Sequence, residues 1–121
     1  MDLASSTTET HNPSDLVIGS AQVITDSEMV ASGQIIAQFA PLGRVTASGE
    51  LIESLPGAGD GSEVPVAISM HAINTSLGAA DHPVYKGGGF NEGLIAWDPA
   101  WTAAQKAGAF DGTPMLLMTP A

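Results

Sequence analysis

The sequence predicts a mainly β domain, a small barrel or sandwich with one short C-terminal helix, preceded by an extended N-terminal arm. Three observations carry that expectation. The chain is rich in turn formers, with 14 glycines and 8 prolines, and only 13% of its residues are charged. Long surface helices need Glu, Lys and Arg on their wet faces, and this composition does not supply them. From Gln34 onward, short apolar runs recur about every 8 to 12 residues with turn residues between them, the spacing of consecutive strands. The leading stretch MDLASSTTETHNPSD has almost nothing to bury and is expected to be disordered in the free chain.

Taken in order, the arm changes character at Leu16. The segment LVIGSAQVIT, Leu16 to Thr25, carries β-branched residues and two short apolar clusters around Gly19. A sticky patch behind a polar tail suits a segment that orders against a partner. An edge strand of the protein's own sheet suits the same residues, and both readings stay open. Ile35 to Phe39 reads as a strand ended by Pro41-Leu42-Gly43. Arg44-Val45-Thr46 and Leu51-Ile52 flank Ala47-Ser48-Gly49-Glu50, where Gly49 can take positive φ and close a hairpin. Pro56 to Glu63 is a loop.

Val64 to Ile73 reads as a strand with Val64, Val66, Ile68 and Met70 on its core face, and Pro65 argues for an edge position at its start. A polar loop, Asn74 to Asp81, leads to His82-Pro83-Val84-Tyr85-Lys86. The Gly87-Gly88-Gly89 run that follows reads as a bulge or wide turn within the sheet, with an exposed contact loop as the alternative. Leu94 to Trp97 reads as a further strand. The helix is expected to begin with Asp98 as N-cap and Pro99 as first residue, and to end before Gly108. Trp101, Ala104 and Ala107 would share its packed face. A turn at Asp111-Gly112 and a strand from Pro114 to Met118 close the chain.

At 121 residues this is one domain's worth, and a domain this small buries only about 60 to 70% of its unfolded surface, so association is the expected way to bury more. Thirteen acids face Arg44, Lys86 and Lys106 as the only permanent cations, for a formal charge of −10. Displacing counterions from phosphates takes clustered Lys and Arg, so nucleic acid is excluded as a direct partner. Anionic membrane surfaces are disfavoured for the same reason, and no apolar run nears the roughly 20 residues that span a bilayer. Without cysteine there is no disulfide and no thiolate chemistry. The start Met1-Asp2-Leu3 lacks the basic and apolar regions of a signal peptide, so synthesis in the cytoplasm is expected.

No catalytic constellation stands out, and the chain is expected not to be an enzyme. GAGDGSE has glycines that could cradle phosphate, but it lacks the Gly-Lys-Ser/Thr ending and carries Asp60 and Glu63 in place of a cation. Those two acids lack the regular spacing of a calcium loop. His11, His71 and His82 have no i, i+4 pairing and no Cys support for zinc. No Gly-x-Ser-x-Gly elbow occurs. No cofactor or metal is therefore expected. A small acidic site at Asp60, Glu63 and His82 would require the three to converge, and a glycan site would require Tyr85, Trp97 or Trp101 as exposed platforms.

In sequence order, FAPLGRVTASGELIE, GAGDGSEVPVAISMHAINT, HPVYKGGGFNEGLIAWDPAW and AFDGTPMLL resemble the bacteriophage head decoration proteins of the lambda D type. The resemblance covers about Gln34 to Leu117 and rests on the order of the parts: a hairpin, an acidic Gly loop before an apolar strand, a Tyr-Lys-Gly strand leading to Phe, a Trp-containing helix start and a Phe-x-Gly-Thr ending. It implies a small β-barrel of the β-tulip kind over residues 33–121 and a flexible capsid-binding arm over residues 1–32. It further implies a homotrimer on the outer surface of an expanded phage head, at three-fold and quasi-three-fold positions. There it would cement the major capsid protein lattice against internal DNA pressure. The arm of that family orders on the capsid as an added strand, and Leu16, Val17, Ile18, Val23 and Ile24 are the residues expected to make that contact. A host- or glycan-binding module on the virion surface is the alternative function.

Overall fold

The computed structural model describes Val17 and residues 22–118. Its strands are β1 (Ile24–Val30), β2 (Ile35–Ile36), β3 (Pro41–Arg44), β4 (Leu51–Glu53), β5 (Pro65–Ser69), β6 (Ile73–Asn74), β7 (Ala80–Asn91) and β8 (Met115–Met118). A 3-10 turn, Glu92–Leu94, and one helix, α1 (Ala103–Ala107), lie between β7 and β8. Hydrogen bonding runs in the order β1-β4-β3-β5-β7 and returns from β7 to β1, closing a five-stranded barrel. β8 adds outside that ring, parallel to the last four residues of β7. β2 and β6 pair only with each other, as a two-stranded ribbon.

The expectation of a mainly β fold with one short C-terminal helix is met, and closure makes it a barrel. β7 is the spine. At twelve residues it is long enough to hold β1 antiparallel along its first part, β5 at Val84 and Tyr85, and β8 along its end. The hairpin between β3 and β4 forms as expected, with Gly49 at φ 76° accepting the turn that a residue with a Cβ would resist.

Two apolar clusters share the strands. Inside the barrel lie Val30, Ile36, Ala40, Leu42, Leu51, Ala67, Ile73 and Val84. Outside its wall, Ile68, Phe90, Ile95, Trp101, Ala109, Phe110 and Met115 form a second core. β5 serves both, sending Ala67 inward and Ile68 outward. That explains why the expected single core face of Val64, Val66, Ile68 and Met70 is not found: Val64 is exposed and Met70 only half-buried, while Ala67 and Ser69 are buried. Pro65 marks no edge, because the barrel has none there; it opposes Gly43 at a register shift.

Three other expectations are corrected. The strand expected at Ile35 to Phe39 stops at Ile36, because Phe39 turns to φ 64° and donates its N–H to Ser69. The strand expected at Leu94 to Trp97 is replaced by the 3-10 turn, where the Asn91 side chain accepts from the Gly93 N–H, and by irregular chain whose Ala96 N–H reaches the Phe39 carbonyl. The helix expected from Asp98 begins four residues later than Pro99. Asp98 caps a single turn, accepting from Ala100 N and Trp101 N. The chain then extends at Thr102, which with Gln105 forms a reciprocal capping box for α1. Trp101 thus precedes the helix, and Ala104 and Ala107 are exposed.

Candidate functional site

The root of the arm meets the barrel at the glycines of β7. Val17 forms an antiparallel bridge with Phe90 and packs against the outer core. Ile24, the first residue of β1, opposes Gly87, and Thr25 opposes Tyr85, so Lys86 is an extra residue on β7. This is a bulge, as the glycine run suggested, although β7 passes through it unbroken. The glycines let the arm lie flat. A Cβ at Gly87 would come within 2.8 Å of the Ile24 side chain, and Gly88 sits at φ 132° with Val23 and Phe90 beside it. Leu16 and Ile18 lie outside the described residues. Val23 and Ile24 are partly exposed at this root, and residues 24–30 of the expected arm run as a barrel strand.

The bulge re-aims Lys86. Its Nζ donates to Glu28 Oε2 at 2.6 Å and lies 3.8 Å from Asp26 Oδ2. Arg44 reaches the same carboxylate from β3, donating at 3.3 and 3.4 Å, and also donates to the Gly49 carbonyl at 2.8 Å. The hydrogen bond from Lys86, with that from Arg44 next, holds the Glu28 carboxyl below its ordinary pKa despite partial burial. The clasp ties β1, the strand that continues the arm, to β7 and to the β3–β4 hairpin. Sequence reading missed it, because three charges 16 and 58 positions apart give no local signal. Lys106 sits 5.9 Å over the Trp97 ring. All three cations are therefore engaged within the chain.

The acidic loop is folded onto itself. Asp60 Oδ1 accepts from the Ser62 N–H and hydroxyl, which lowers its pKa, and Glu63 Oε1 accepts from Gly61 N. The buried Ser54 hydroxyl donates to the Ser62 carbonyl at 2.6 Å and pins the loop to β4. His82 stands elsewhere, on β7 opposite Glu28. Asp60 and Glu63 are thus engaged within their own loop, and His82 lies on a different element. Among the described residues, no three His, Asp or Glu side chains gather as a metal site. His11 lies outside the described residues.

The aromatic residues are structural. Trp101 is 6% exposed and donates its indole N–H to the Ser54 carbonyl at 3.0 Å. Trp97 is wedged between Trp101 and Phe110, at ring separations of 5.0 and 6.1 Å. Tyr85 packs on Phe90 at 5.3 Å. A glycan platform needs an open ring face, and these faces are committed to the outer core.

The geometry at this end of β7 is thus a charge clasp centred on Glu28 beside the root of the N-terminal segment. The family model for the bacteriophage lambda head decoration protein D matches residues 6–116. The chain belongs to this family. Its match takes in most of the arm, the whole barrel, α1 and the start of β8. The chain is thus a structural component of the phage capsid, a head decoration protein located on the virion. No curated protein matches it.

Proposed function

We propose that the chain acts as a cement: trimers made in the host cytoplasm settle on the outside of the expanded head at three-fold and quasi-three-fold positions. There they hold neighbouring major capsid proteins together against the pressure of packaged DNA. The family match over residues 6–116 carries this reading. The part of the arm ahead of β1, residues 1–23, is the fastening, with Leu16, Val17, Ile18 and Val23 as its apolar contacts and Ile24 where it joins β1. An extended segment that adds to a sheet edge gains main-chain hydrogen bonds for affinity and alternate side chains for register. Ordering it costs entropy, which repetition over three linked subunits offsets.

Two features of the fold support the reading. β1 lies C-terminal to the arm, so a fastened arm is joined to the barrel through a strand held along β7 and by the Glu28 clasp. The surplus of acids is no obstacle on the outer face of a shell whose DNA is inside. Truncation before Ile24 tests the arm, because it removes Leu16, Val17, Ile18 and Val23 and leaves β1 and the Glu28 clasp in place. The shortened chain should keep its far-ultraviolet spectrum and its solution mass, yet leave expanded heads bare in a cosedimentation assay. Undiminished occupancy of heads by the shortened chain would overturn the arm's role.

A further inference from the structure

The barrel end opposite the arm root is built around the β2–β6 ribbon, and it is free of charge in a strongly acidic chain. Residues 31–43 and 72–80 contain no ionisable side chain. The ribbon turns Ile36 and Ile73 into the barrel and leaves Ile35 and Asn74 outside. Ile35 is 77% exposed, and Leu77, three residues past Asn74, is fully exposed. Large apolar groups held in water are costly, and here they are held rigidly. The Thr75 hydroxyl accepts from Gln34 N at 2.9 Å and donates to the Ala31 carbonyl at 2.5 Å. Main-chain bonds join Gly33 N to the Thr75 carbonyl and Thr75 N to the Gln34 carbonyl, both at 2.8 Å, and Gly78 N to the Thr75 carbonyl at 3.0 Å. The Asn74 side chain accepts from Ser76 N and sets the turn that presents Leu77.

We propose that this end of the barrel is the surface through which copies of the chain meet, with Ile35 and Leu77 as its apolar anchors. The inference rests on the trimer reading above and names the contact that would make it. Charge selects the occupant. Every copy carries −10, so two copies repel over most of their surfaces. They approach at least cost where neither presents an ion. Preformed geometry lowers the entropy lost on association, since the ribbon is already fixed by its own hydrogen bonds. Arg44, His71 and Asp81 adjoin these segments along the chain, and Glu53 lies beside them, donating its N–H to Gln34 Oε1 at 3.3 Å.

Sedimentation equilibrium of the full chain tests this with three variants. Leu77→Asp and Ile35→Asp place a charge at positions exposed enough to leave folding intact, checked by thermal unfolding; Leu116→Asp, on β8, is the control. Each of the first two should raise the concentration at which the trimer dissociates by about tenfold or more, with the control unchanged. A trimer undisturbed by Leu77→Asp and Ile35→Asp together would overturn the proposed contact and leave the trimer itself standing. The same result with loss of head binding would assign the surface to the capsid instead. A wild-type chain monomeric at every concentration would overturn the trimer reading itself.

Discussion

Glu28 is held in the barrel wall by two cations, with Lys86 and Arg44 both donating to one carboxylate. Both cations are about a third exposed, so solvent screens much of the attraction. Glu28→Gln is expected to cost about 1 kcal/mol of stability at neutral pH, measured by denaturant unfolding. The pH dependence has a definite sign. The folded-state pKa is lowered, so the contribution is complete above the unfolded value of about 4.3 and is lost as pH falls through the lowered folded value. Lys86 and Arg44 stay charged throughout that window. The difference between wild type and variant should therefore shrink on acidification, and a difference that held constant into strong acid would contradict the clasp.

At the scale of elements, two glycines separate backbone crowding from side-chain crowding. A Cβ on Gly43 would collide with the backbone of Ser62, whose carbonyl is held by Ser54, so nothing nearby can yield. Gly43→Ala should cost about 2 to 3 kcal/mol. At Gly87 the obstacle is the flexible Ile24 side chain, and Gly87→Ala should cost about 1 kcal/mol through a rotamer shift. Equal losses for the two in chemical denaturation would refute the distinction.

The elements themselves were legible wherever local chemistry decides them. The β3–β4 hairpin, the bulge at the glycine run and the final strand were readable because turn residues and alternation act over a few positions. Leu94 to Trp97 was not, since its apolar residues serve the outer core beside a β7 already paired on both sides. The helix start at Asp98 misled for a related reason: its capping chemistry is present, but Trp101 turns inward to reach Ser54, and Thr102 restarts the helix. Arm-root residues were visible as a sticky patch. Their seat on Phe90 and Gly87 was not, because pairing over 63 and 73 positions leaves no local trace.

For the whole molecule, net charge and core arrangement act together. Phe90 is fully buried, joining the spine strand to the outer core, while the cations are spent on Glu28 and Trp97. What is left outside is acidic, apart from the charge-free barrel end. Self-association through that end should tighten as salt rises from low values to about 0.15 M, where the Debye length falls to about 8 Å and repulsion between copies is screened. Weakening over the same range, read by sedimentation, would point to an interface built on ion pairs.

Because β1 lies antiparallel against β7 for its full seven residues, the way it meets β7 fixes how a pull from its N-terminal end is borne. A tug along the tail runs lengthwise down that strand. The rungs of the ladder are then loaded side by side, as in a lap joint, and must give way together. Under the proposed fastening, a swelling shell would strain the joint in the direction in which it is hardest to peel.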